Sequence, residues 1–506
     1  MIARSRRAPL FWLATAAIAL GVLLHLPMLA EAHRMGNRLV GMPTDATMWL
    51  GMALIFLGAP LAIYGALPPR IETASLPDKH FEARADTPLG ASHLAVILVL
   101  VLGLVIDVMK PATLGFVLPG VKSEYGIPKP VAALLPLVAL IGTTIGSYLW
   151  GWMADRYGRR VSILLSTVLF ISTSICGAMP DFRLNLLMCF VMGMSAGGML
   201  PVVYTLLAEI MPPRHRSWVL VTVGGIGLVG GYLAASTTAH LFEDEYGWRA
   251  LWLQGFPTGL LLLLLARLLP ESPRFLYLQR RDAELADMEC RFGIVERPAP
   301  TDDHGLVGAR RETRLTVALV LAALAWSFVN FGLLLWLPNA LQERGFSNAV
   351  ATGIIAKSSL LALPTIGIGA WLYAKWSSKG ALVAMLGLLV IGTAGAALPA
   401  ATLAAPLLLG SVIGLLVLGT NGAIAMMLPY TAEIFPVASR GRGTGLVSGA
   451  SKVGGAVVQL FAIAGLSPSL GPTALLLVVP LALSTALVWA LGVETSGRAL
   501  ERKSAA

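Results

Sequence analysis

The sequence predicts an all-α membrane protein with fourteen transmembrane helices: two six-helix bundles preceded by two extra N-terminal helices. Of its 506 residues, 56% are hydrophobic and only 13% charged, where a soluble globular chain is about one quarter charged. Mean hydropathy is +0.77, so the chain is built for lipid. Apolar stretches of about 20 residues, enough to span a bilayer as a helix, recur along nearly its whole length. They lie at 10–30, 46–67, 92–118, 131–152, 161–179, 183–208, 217–241, 249–269, 315–340, 348–373, 380–398, 403–430, 441–466 and 472–492.

The basic residues give the orientation. Arg156, Arg159 and Arg160, then Arg214 and Arg216, Lys375 and Lys379, and Arg440 and Arg442 fall in alternate loops. The tail residues Arg498, Arg502 and Lys503 fall on the same side, while the loops near 180, 400 and 468 are almost bare of basic residues. This positive-inside pattern puts both termini in the cytoplasm. The net charge of +10 therefore reports topology, and nucleic acid is not expected as a partner. Cys176, Cys189 and Cys290 are too scattered for a disulfide framework or a metal site.

Residues 1–67 read as a two-helix membrane extension. The start, "MIARSRRAPLFWLATAAIALGVLLHLPMLAEAH", has the arginines, apolar run and Ala-Glu-Ala of a cleavable signal peptide, but the run is long for that role. A retained helix is expected. Residues 68–91, polar and proline-containing, read as a cytoplasmic linker. Residues 92–269 form the first bundle, 270–314 a cytoplasmic segment of short amphipathic helices, 315–493 the second bundle, and 494–506 a cytoplasmic tail.

The two bundles repeat one another. "LPGVKSEYG" (118–126) aligns with "LPNALQERG" (337–345), Glu209, Pro212 and Arg216 with Glu433, Pro436 and Arg440, and "PESPR" (270–274) with "VETSGR" (493–498). Each landmark returns about 220 residues later, the sign of an internal repeat. Parallel repeats about an axis along the membrane normal are a transporter architecture, with substrate midway between the halves.

Two motifs carry chemistry. "GWMADRYGRR" (151–160) follows the second core helix. Gly151 is expected to allow close helix contact. Asp155 is expected at the start of the next helix, where the dipole favours an anion. The second motif, "LVIDVMKPATLGFVLPG" (104–120), places Asp107 and Lys110 on one helix face inside an apolar run. Pro111 removes the amide that would bond the Asp107 carbonyl, so the helix is expected to kink or loosen there. An ionisable group at that depth costs at least ~3 kcal/mol and usually faces a cavity. The alternative is a self-neutralising structural pair. Lys357 and Lys452 lie inside the eighth and eleventh core spans, where snorkelling is the plain alternative. With Asp107 the one acid near mid-membrane, the surplus of lysines would attract an anion. Tyr204, Gln254, Trp326, Asn330, Trp336, Asn421, Tyr430 and Gln459 are uncharged candidates. No nucleophile–base grouping, metal cluster or P-loop supports an enzyme, so no cofactor or metal is expected.

The G-x3-D-R-x-G-R-R loop resembles the best-known motif of the major facilitator superfamily, and "PESPRFL" and "ETSGRALE" resemble its sugar-porter and metabolite–proton symporter branches. The resemblance covers roughly 90–503 and implies two six-helix bundles rocking about a central site. It implies a cytoplasmic gate of Gly151, Asp155, Arg156, Gly158, Arg159, Arg160, Glu209, Arg216, Glu271, Arg274, Glu433, Arg440 and Glu494. Ala374 replaces the second-half acid, so gating is expected to be lopsided. The chain also departs from its relatives: Lys110 replaces the second acid of D-G-x-D, and Cys189 replaces the arginine of a fourth-helix Gly-Arg pair. The seventh-helix sugar pattern is missing, and "GGIGLVGG" (224–231) lacks the proline of the exporters' motif.

These features predict proton-coupled uptake of a small organic anion, a carboxylate or aromatic acid, by a monomer in the bacterial cytoplasmic membrane. Asp107 would carry the proton, and Lys110, Lys357 and Lys452 the anion. A sugar or neutral-metabolite porter, a proton-driven exporter and a ligand-sensing transceptor without flux are the alternatives.

Overall fold

The computed structural model describes residues 7–42, 45–67, 79–297, 309–399, 402–434, 437–466 and 469–495. Among them, thirteen helices are long and apolar enough to cross a membrane. The apolar stretch at 249–269 contains a shorter apolar helix, Gly255–Leu268. The extension comprises α1 (Ala8–Leu23), α2 (Leu26–Arg34) and α3 (Ala46–Ala66). After strand β1 (His80–Ala83) come α4 (Ala91–Tyr125), α5 (Lys129–Ala132), α6 (Leu134–Tyr157), α7 (Arg159–Ser172) and α8 (Phe182–Ala196). Then follow α9 (Met199–Ile210), α10 (Pro213–Ala250), α11 (Gly255–Leu265), α12 (Pro273–Leu278), α13 (Asp282–Phe292) and strand β2 (Ile294–Arg297). The remainder is α14 (Ala309–Val329), α15 (Leu337–Glu343), α16 (Asn348–Trp371), α17 (Ser378–Ala396), α18 (Pro406–Ile434), α19 (Val437–Ile463) and α20 (Leu470–Leu491).

The chain forms two compact units. The first is Met1–Pro128, Leu134–Arg216 and Leu241–Ala299; the second is Lys129–Ala133, Ser217–His240 and Pro300–Ala506. The middle of α10, which the sequence assigned to the first bundle, belongs to the second unit. It is anchored there: Tyr232 Oη donates to the Leu334 carbonyl at 3.4 Å and His240 Nδ1 bonds the Ala349 carbonyl at 2.8 Å.

Side-chain size explains how the extension folds. Phe11, Ile18 and His25 recur at heptad spacing on the first apolar run, and Gly51, Gly58 and Gly65 at the same spacing on α3. A Cβ added to Gly65, Gly58 or Gly51 would lie 2.6 Å from Phe11 N, 2.7 Å from Ile18 Cγ1 or 2.7 Å from His25 Cε1. The first run and α3 are therefore an antiparallel hairpin with large side chains seated on glycines, close packing being what holds helices together in lipid. Asp45 caps α3 by accepting from Met48 N at 2.8 Å.

Two expectations change. α4 stays one continuous helix through Pro111 and Pro119. The polar segments read as a linker and as short helices also carry β1 and β2, which pair antiparallel with His80 opposite Arg297 and Ala83 opposite Ile294. Short strands in polar segments leave little periodicity to read.

Filling the hairpin tests this packing. Gly58→Leu should destabilise the chain by about 1–3 kcal/mol, the usual cost of overpacking, seen as a lower melting temperature in detergent. Gly367→Ala, where an added Cβ meets nothing within 4 Å, should not.

Candidate functional site

The polar cluster lies in the first unit, where Lys110 of α4 reaches the end of α7. Lys110 is fully buried and Asp107 is 6% exposed. The Lys110 ammonium donates to the Phe170 carbonyl at 2.5 Å and to Thr173 Oγ1 at 2.6 Å, and stands 4.2 Å from the Phe170 ring centroid. Both hydrogen bonds go to α7 and its continuation, not to Asp107, so the two side chains are not the self-neutralising ion pair the sequence allowed. The local fold supplies these partners. α7 ends at Ser172 and tightens into a 3-10 helix, Thr173–Ala178. The last carbonyls of an α-helix lack helical partners and carry the negative end of its dipole, and the ammonium sits on one of them.

Two neighbours complete the cluster. Gln254 Nε2 donates to Thr113 Oγ1 at 2.8 Å. Gly255 gives Lys110 room, since an added Cβ would sit 2.7 Å from Lys110 Cε and 2.8 Å from Ser174 Oγ. Ser174 Oγ and Gln254 Oε1 are buried with no partner among the described residues, and buried polar atoms are normally paired. The arrangement thus offers a buried cation whose hydrogen bonds, among the described residues, go to a carbonyl and a hydroxyl, beside open hydrogen-bonding atoms. Gly255 and Ser174 escaped sequence reasoning because their value lies in a crossing of distant segments. Tyr204 Oη is also buried without a partner among the described residues.

The other candidates lie in the second unit. Lys357 is exposed on α16, on a stripe with Val350, Leu361, Pro364, Ile368 and Trp371. A lysine among exposed apolar groups suits snorkelling. Lys452 is half-buried and reaches Ser448 Oγ at 3.1 Å. Within the second unit, Trp326 Nε1 donates to the Thr420 carbonyl at 2.6 Å and Asn421 Nδ2 to the Val417 carbonyl at 2.8 Å. Gln459 bonds the Phe331 carbonyl at 2.8 Å and accepts from Trp336 Nε1 at 3.3 Å. Tyr430 Oη bridges the backbone of Val493. These side chains brace their own unit. Asn330 begins a π-helical turn, Asn330–Leu334.

A second set of polar contacts lies at the basic-loop ends. Asp155 is in the last turn of α6, not at the start of α7. It is 79% exposed and pairs with Arg159 at 3.1 Å. The acid at the N-terminus of α7 is Glu271, whose Oε1 accepts from the amides of Arg159, Arg160 and Ser272 at 2.6, 3.3 and 3.0 Å. Burial pushes the Glu271 carboxyl above its usual range, and these amides pull the other way. The sterically constrained glycine is Gly158, not Gly151. Gly158 has φ +102°, and a Cβ there would lie 2.5 Å from Glu271 Oε2, whereas one on Gly151 meets nothing within 4 Å. Arg159 also pairs with Glu209 at 2.9 Å, and Arg216 with Glu82 at 3.1 Å. Arg156 lies 5.5 Å from the Trp152 ring centroid, Arg160 donates to the Arg267 carbonyl at 3.3 Å, and Arg274 is exposed.

The second unit repeats the cap. Glu494 accepts from Ser378 N at 2.8 Å at the start of α17, and from the Ser377 and Ser378 hydroxyls. Glu433 accepts from Ser217, Tyr373 and Thr495 at 3.0, 2.9 and 2.6 Å. The Arg440 side chain and residues 496–506, with most of "ETSGRALE", lie outside the described residues.

Removing the buried cap should cost far more than removing the exposed acid. Glu271→Ala should lose about 1–2 kcal/mol, as helix caps do; Asp155→Asn should stay within about 0.5 kcal/mol, since exposed pairs contribute little. Thermal unfolding in detergent checks both.

Residues 100–458 match the family model described as Major Facilitator Superfamily. The chain is 29% identical over 355 residues to the putative niacin/nicotinamide transporter NiaP of Bacillus subtilis, covering 70% of this chain and 84% of that protein. It is 24% identical over 433 residues to the niacin transporter NiaP of Acinetobacter baylyi, covering 82% and 97%. Its fold is similar to that of the xylose transporter XylE from E. coli in a partially occluded inward-open conformation, with TM-score 0.64, 17% identity, and 81% and 100% of the two chains covered. This multi-pass membrane protein belongs to the Major Facilitator Superfamily and shares its transporter fold.

Proposed function

We propose that this chain imports a small aromatic carboxylate together with a proton, by alternating access across the bacterial cytoplasmic membrane, with its basic loops and both termini in the cytoplasm. The observation that carries the reading is the buried Lys110 ammonium, held by neutral partners one helical turn from the buried Asp107. A buried charge is stable only when well paired, and a substrate carboxylate is a stronger partner for it than a carbonyl and a hydroxyl. Ser174 Oγ and Gln254 Oε1 supply further hydrogen bonds to the bound molecule. The name of the Acinetobacter baylyi relative, a niacin transporter, supports the substrate class, since niacin is a pyridine carboxylic acid.

Coupling follows from charge. An ionised Asp107 repels an incoming carboxylate, and a protonated one does not. Proton and anion therefore bind more readily together than apart, and the linkage is reciprocal. Lys357 is left out of this scheme because of its exposed apolar surroundings.

Proteoliposome assays with radiolabelled nicotinate test the reading. Asp107→Asn should keep counterflow exchange and lose uphill accumulation; accumulation that survives overturns the coupling scheme. Lys110→Gln should weaken nicotinate binding at least about tenfold, the loss of a charge-assisted bond. Nicotinate should compete where nicotinamide and xylose do not. Competition by xylose instead would favour a sugar porter.

A further inference from the structure

We propose that β1, carried by the segment between the N-terminal extension and α4, is a working part of the charge cluster, with Glu82 as a positioning residue for Arg216. The inference rests on the transporter reading for its consequence in flux, but not for the contact itself.

The strand is well fixed. It pairs with β2 over four residues, and Arg84 N donates to the Gly293 carbonyl at 2.9 Å just beyond it. Lys79 pairs with Glu296 at 2.6 Å. Alternation along a strand sends successive side chains to opposite faces. Phe81 packs against Tyr277 at 5.6 Å between ring centroids, and Lys79 stands over the same ring at 5.3 Å. Glu82 therefore points the other way, to Arg216, at 3.1 Å with side chains only 18% and 15% exposed.

The place of this ion pair gives it a role. Glu209 pairs with Arg159 at 2.9 Å, and the acid that meets Arg216 comes from the segment ahead of the first bundle. Arg216 is the last residue of its segment in the first unit, and α10 continues from Ser217 in the second. Glu82 thus holds the chain where it leaves the first unit. Whatever loosens β1 from β2 also loosens the start of α10, so the segment carrying β1 biases the conformational equilibrium on which transport depends.

The test uses full-length protein with Cys290→Ser, which removes the exposed thiol, and Val219→Cys, a buried position one turn beyond Arg216. Maleimide labelling without substrate reports opening of the start of α10. Glu82→Gln should speed labelling about three- to fivefold, the scale of one partly exposed ion pair. Glu82→Asp should stay near the parent rate, and the swap Glu82→Arg with Arg216→Glu should restore slow labelling. Equal rates in the parent and Glu82→Gln, or a swap as fast as Glu82→Gln, overturn the inference. In proteoliposomes, Glu82→Gln should lower the maximal nicotinate uptake rate and leave KM unchanged. A parent whose introduced thiol labels slowly, yet which takes up no nicotinate, contradicts the substrate reading alone.

Discussion

A lysine ammonium buried in an apolar bundle must be satisfied by whatever the fold places beside it. Here the partner is the end of a helix: α7 stops at Ser172, and the Phe170 carbonyl meets Lys110. Several features serve this one contact. Gly255 leaves space, Thr173 adds its hydroxyl, and Gln254 is tied to Thr113 on the same helix as Lys110. Neutral dipoles satisfy a buried charge less well than a carboxylate does, and that difference is available to a ligand. A fully satisfied ion pair at the same depth would leave nothing for substrate to displace.

The same physics recurs at the ends of the spans. The N-termini of α7 and α17 each expose orphan amides, and an acid from a distant segment answers each one: Glu271 for α7 and Glu494 for α17. The repeated "PESPR" and "VETSGR" segments thus do the same job in both units. The contacts around these caps have diverged. In the first unit Arg159 bridges Asp155 and Glu209, while in the second Glu433 is surrounded by the hydroxyls of Ser217, Tyr373 and Thr495. Ion pairs respond to salt and local charge more than hydroxyl contacts do.

Much of this was legible in the sequence because lipid makes composition decisive. Span lengths, the two extra helices and the repeat follow from apolar runs and landmark spacing. Asp107 and Lys110 stood out because charge is costly in an apolar run. What escaped notice depends on contacts between distant segments. Nothing local marks Phe170 as the partner of Lys110, or Glu82 as the partner of Arg216. Gly151 and Gly158 look equivalent as letters; only the backbone angle and the approach of Glu271 separate them. Heptad glycines on α3 were readable in principle, but their meaning requires knowing that Phe11, Ile18 and His25 recur at the same spacing on the opposing run.

The most direct measurement of the central claim is proton movement itself. Proteoliposomes holding a pH-sensitive dye, with no imposed pH or voltage gradient, would receive an inward gradient of nicotinate. A proton-coupled carboxylate importer acidifies the lumen as nicotinate enters, faster than empty vesicles and in proportion to the amount taken up. Nicotinate entry without protein-dependent acidification, or no entry at all, would contradict the account.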